Sequence, residues 1–216
     1  MMDLPFADLA EKLLISFKFV KSLYEMDEIT IEEVVYEMEK YQQDPIAFMK
    51  ENIVKINPAI EDSLNEVNKV FLDIIENYKR VHVLKNTLKS ISIQALKREQ
   101  KVEAGLWDEF IIKFRDYDEF LNKCITLKII NSCLSEDLGE TLISIQLILL
   151  EYIFIRYASY LQFSIIGDVI KSDIKDYVVV FSRIIENNAE AVLDYLYEKY
   201  NDEILELDYL SFLSAI

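Results

Sequence analysis

The sequence predicts an all-α helical bundle, and three observations carry that prediction. Glycine and proline number three each in 216 residues, too few for the turns of a many-stranded sheet. Hydrophobic residues make up 52% of the chain, enough to fill a substantial core at this length. Apolar positions recur in steps of three and four along most of the chain, the spacing of helices. We expect about seven to nine helices in one domain covering residues 1–216. Its punctuation suggests short helices over 1–57, a long helix with its partner over 58–135, and a C-terminal bundle over 136–216.

The first helix should end near Met26. Thr30 stands three residues before Glu33, the spacing of a capping box, and opens a short second helix. In "DPIAFMKENI" Asp44 can cap and Pro45 takes the first helical position, where its missing N–H costs nothing; Asn57 and Pro58 repeat the signal. From Ala59 no breaker occurs until Gly105, and Ile60, Leu64, Val67, Phe71, Ile74, Tyr78 and Val81 alternate steps of four and three. That is a heptad seam of the coiled-coil kind, which resumes after one shortened step at Leu84 with Leu88, Ile91 and Ala95. About 45 residues of helix would measure nearly 70 Å. The segment over about 58–104 should therefore either project from the bundle or break, with "KNTLKSISI" the expected place and Gly105 the end.

After Gly105, "LWDEFIIKFRDYDEFLNKCITLKIINSCL" predicts another amphipathic helix, paired with the preceding one. The most apolar element should run from about Leu138 to Ile166, closed by Gly167. Gln146, Glu151, Arg156 and Gln162 interrupt it, which favours a buried core helix over a membrane span of roughly 20 uncharged residues. "DYVVVF" is the only β-like run, and the spacing around it is helical; two or three helices complete the chain.

Asp3, Asp8 and Glu11 stand where an export signal would carry positive charge. Cys124 and Cys133 are nine residues apart, about 900° of helical turn, so they face opposite ways. Two free thiols without a disulfide framework fit a cytoplasmic setting.

The residue inventory bears on chemistry as well. His82 is the only histidine, so one Ser-His-Asp or Cys-His site is formally possible, but no G-x-S-x-G surrounds a serine and His82 falls off the heptad seam, as a solvated or locally hydrogen-bonded histidine does. Three isolated glycines build neither a phosphate-binding loop nor a dinucleotide fingerprint. Zinc and helical di-iron sites need histidine or cysteine in numbers this chain does not have. We expect no cofactor. Oxygen-only metal chemistry is the one enzymatic route left, with Glu33, Glu37, Asp116 and Glu119 as candidate ligands of a metal-dependent hydrolase. In a chain with 39 acidic residues such pairs also arise on any solvated face.

Charge is segregated. The chain carries a net −16, yet the stretch 78–101 holds Lys79, Arg80, Lys85, Lys89, Lys97, Arg98 and Lys101 against Glu99 alone. Glu25 to Glu39 holds seven acids and no base. On a helical wheel Val81, Leu84, Leu88, Ile91 and Ala95 gather within about 80°, with Lys79, Lys97 and Lys101 roughly opposite. Val83 and Ile93 sit among the basic residues, the composition of a contact surface. The expected function is a non-catalytic helical protein–protein interaction protein, an adaptor, regulator or assembly factor, that self-associates as a homo-oligomer through the heptad helix. The alternative partner is nucleic acid, held through backbone phosphate by the basic helix, which the overall acidity opposes. No membrane partner is expected.

Overall fold

The computed structural model describes residues 8–26, 29–43, 59–78, 82–97, 104–133, 135, 137–201 and 206–216. Among them every regular element is helical, as the sequence predicts. In chain order these are α1 (Leu9–Tyr24), α2 (Ile31–Gln43), α3 (Ile60–Tyr78), α4 (His82–Lys97), α5 (Ala104–Phe114), α6 (Asp118–Ser132), α7 (Leu138–Ile166), α8 (Lys171–Ile185), α9 (Ala189–Tyr200) and α10 (Leu207–Ser214). Single 3-10 turns at Arg115–Tyr117 and Glu186–Asn188 join α5 to α6 and α8 to α9.

Local chemistry sets several of these boundaries. At the start of α1 the Asp8 carboxylate accepts the Glu11 N–H at 2.8 Å, and the Glu11 carboxylate accepts the Asp8 N–H at 2.7 Å. The same reciprocal box opens α2, where the Thr30 hydroxyl accepts the Glu33 N–H at 3.2 Å and Glu33 returns the bond at 2.9 Å. Each box satisfies donors that a helix start leaves free. Asp137 caps α7 by accepting the N–H groups of Gly139 and Glu140, and Gly167 ends it at φ 71°, a left-handed conformation that suits glycine.

The bundle is organised around α7. From Ile145 through Phe163 every residue but Arg156 and Gln162 is buried, and the helix packs against α1, α3, α4, α5, α6, α8 and α10. The helix is long and apolar enough to cross a membrane, yet two thirds of its most apolar window is buried by the chain's own helices. Phe71 of α3 packs edge-on against Phe154 and Tyr157 and tilts against Phe181 of α8, with centroids 5.2–5.7 Å apart. Trp107 and Phe110 of α5 make a second cluster with Tyr160.

The expected long helix is broken. Asn68 of α3 donates to the Ala95 carbonyl of α4 at 3.4 Å, whereas one straight helix would hold these residues about 40 Å apart. The first helix of the pair ends at Tyr78 and the second starts at His82, and "KNTLKSISI" lies within continuous helix. Leu64, Val67, Phe71, Ile74, Leu88, Ile91 and Ala95, the described core of the seam, are all buried. They face the fold's own centre.

Two further details differ from expectation. Gly105, the expected end of the long helix, lies in the first turn of α5, and the amphipathic stretch after it is two helices rather than one. Both pack on α7. Asp44, Pro45, Asn57 and Pro58 lie outside the described residues.

Side-chain ties fasten the C-terminal helices. Asp73 of α3 accepts from Tyr200 and from Lys199 of α9, the latter at 2.5 Å. Tyr209 of α10 donates to Glu66 at 2.7 Å, and Lys21 of α1 reaches Glu206 at 2.6 Å. Because Phe71 meets rings from two other helices, Phe71→Ala is expected to lower the unfolding free energy by about 3–5 kcal/mol in urea titration.

Candidate functional site

The residues expected to bind a partner fall into two groups. Lys79, Arg80, Arg98 and Lys101 lie outside the described residues, and Val83 and Lys85 fall on the described backbone of α4. Lys89, Ile93 and Lys97 are exposed, together with Leu96. At 100° per residue these four occupy one strip about 100° wide, opposite the buried Leu88, Ile91 and Ala95. Neither lysine makes an ion pair among the described residues. This is a basic strip with an apolar centre.

Its counterpart in charge is α2. This helix packs on α1 and adds nothing to the core cluster among the described residues. Ile31 is 80% exposed, and Ile29, Val35, Tyr36 and Met38 are exposed as well. Ile31, Val35 and Met38 share a strip about 60° wide, bordered on one side by the exposed Glu32 and Glu39. An amphipathic helix normally turns such a stripe inward, but here the apolar stripe is the outward one.

The four candidate metal ligands are not brought together as one site. Glu33 is held by Thr30, whose backbone N–H and hydroxyl keep its carboxyl below the usual range. Glu37 is buried, 3.5 Å from Lys40. Glu119 bonds Lys123 at 2.6 Å, which lowers its carboxyl likewise, and Asp116 is exposed on the 3-10 turn. Among the described residues no three His, Cys, Asp or Glu side chains are grouped to hold a metal. Both cysteines are free thiols, half-buried, with burial pushing their titration upward.

A polar cluster that the sequence does not announce lies between α6, α7 and α8. The Lys128 ammonium reaches Glu151 at 2.8 Å, Ser182 Oγ at 2.5 Å and Glu186 at 3.1 Å, so its three protons all have acceptors. Ser182 Oγ also lies 3.0 Å from Glu151 and 2.7 Å from the Val178 carbonyl. Beside the cluster is a cleft of about 170 Å³, lined by Ser132, Ser144, Leu147, Ile185 and Ala189 along with Lys128, Glu151 and Glu186. Ser182 is not on its wall. With the ammonium's three protons engaged and Ser182 bonded to Glu151 and to the Val178 carbonyl, the cluster ties three helices together. Its one signal in the sequence is Glu151, an acid inside an apolar run.

Arg156 is the other such signal. Its guanidinium sits over Trp107 at 5.6 Å and lies 3.7 Å from Asp8. Asp118 and Glu11 stand near the same charge, and burial raises both carboxyls above their ordinary values. A separate polar cleft of about 280 Å³ opens between α4, α7 and α8, lined by Asn86, Thr87, Ser90, Gln162, Asp173, Asp176 and Tyr177.

Comparison with known proteins finds no matching family, no similar curated protein and no similar solved structure.

Lys128→Met leaves Glu151 buried without its closest cation, and we expect a loss of about 3–5 kcal/mol in urea titration, most of it recovered by Lys128→Met/Glu151→Leu. Burial pushes the Glu151 carboxyl above the glutamate range, with Lys128 and Ser182 pulling the other way. A carboxyl raised in the fold binds its proton more tightly there than in the unfolded chain. Its contribution is therefore fully present below the unfolded value of about 4.3 and is lost as pH rises through the folded value. Unfolding free energy should consequently fall with pH more steeply across that window in the native sequence than in Glu151→Gln.

Proposed function

We propose that the chain is a non-catalytic helical interaction protein, an adaptor, regulator or assembly factor of the cytoplasm, which docks partners on the outward faces of α2 and α4. The observation that carries this reading is the stripe of Ile31, Val35 and Met38, exposed on a helix that packs on α1. Contiguous exposed apolar surface rimmed by charge is the usual mark of a protein contact. The described seam is occupied inside the fold, so the docking role passes from the heptad to these two faces. The acids bordering one and the lysines within the other would set orientation and partner choice more than affinity.

Two measurements test this. In light scattering with a short DNA duplex at about 50 and 200 mM salt, no retained duplex is expected; a complex that weakens steeply with salt would assign α4 to phosphate instead. With a photoreactive residue in place of Val35, irradiation should yield covalent adducts with protein. A monomer that forms no adduct would refute the docking reading.

A further inference from the structure

We infer that the occupant of the α2 face is the α4 strip of a second copy of this chain. The inference rests on the docking reading above and names its partner. It is carried by complementarity in charge, composition and spacing. On α2 the exposed acids Glu32 and Glu39 are seven residues apart, about 10.5 Å along the axis. On α4 the exposed Lys89 and Lys97 are eight apart, about 12 Å. Between each pair lie exposed apolar side chains, Val35 and Met38 on one helix and Ile93 and Leu96 on the other. Laid side by side, the two helices bring apolar against apolar in the middle and acid against base at both ends.

Among the described residues these groups are not paired inside the fold. Glu32, Glu39, Lys89 and Lys97 make no ion pair among the described residues, and within the chain α2 packs on α1. Asp173 and Asp176 line the polar cleft on the Asn86–Ser90 side of the strip, which leaves the Leu96–Lys97 end as the more basic one. A contact of this kind joins two different surfaces, so an open assembly is left with one unpaired face of each type, one at either end. Repetition gives a ring if the rotation closes and a filament if it does not. Two short helices bury less than a standard interface, so assembly should be reversible, favoured by concentration and weakened by salt.

The test uses the full chain and two variants with every change at an exposed position, Glu32→Lys/Glu39→Lys and Lys89→Glu/Lys97→Glu. The native sequence should scatter above its 25.4 kDa monomer mass as concentration rises. Either variant alone sets like charge against like, and its association constant should fall about tenfold or more. An equimolar mixture of the two should recover association, because each then meets the opposite charge. A native chain that stays monomeric at every concentration overturns the inference, and so does a dimer that survives both reversals. If that monomer still forms adducts with other proteins through position 35, the docking reading stands and only the second copy is removed as its partner.

Discussion

Everything in this fold answers to the burial of α7. The central part of this helix has no solvent face on which to place charge, so each polar group it carries there needs a partner inside the protein. The surrounding helices are arranged to supply those partners. Lys128 comes in from α6 and Ser182 from α8 to meet Glu151, Trp107 comes from α5 and Asp8 from the start of α1 to meet Arg156, and Asn68 comes from α3 to accept the Tyr157 hydroxyl at 2.7 Å. An unpaired buried charge costs several kcal/mol, whereas packing aliphatic side chains tolerates small shifts. The apolar surface drives collapse onto α7, and the polar contacts select the register in which collapse stops.

Features that depend on neighbours in sequence were legible before the structure. The capping box of Thr30 and Glu33 and the limits of α7 at Leu138 and Gly167 follow from residues within a few positions of one another. The break in the heptad segment was not legible as to place. An apolar stripe looks the same along one long helix and along two helices folded back, because in both cases it faces a common core. Asn68 was the available clue: a carboxamide beside the seam asks for a partner, and the Ala95 carbonyl provides one only if the chain reverses. Partners of Glu151 lie 23 and 31 residues away on two other helices, a separation that no local pattern encodes. Nor can periodicity say which amphipathic faces acquire a cover, which is why α2 reads in the sequence like any surface helix.

The division of labour among charges is informative. Ion pairs that hold the fold use Lys21, Lys113, Lys128, Arg156 and Lys199, each reaching across to another part of the chain. The acids exposed on α2 and the lysines exposed on α4 take no part in that work. Among the described ion pairs the fold leaves these groups unused, which is why the docking proposal rests on them. The cysteines, half-buried and free, belong with the packing residues.

The packing of α1 also has a consequence in time. Its apolar face is covered by α7 and α10, whose residues follow more than 100 positions later in the chain. At synthesis rates of about 5–20 residues per second, α1 waits on the order of ten seconds for its first large cover. Leu13, Ile15 and Phe17, fully enclosed in the finished protein, are open to other apolar chains throughout that interval. A nascent chain of this kind cannot settle helix by helix as it emerges, and it depends on being kept apart from its neighbours until the central helix arrives.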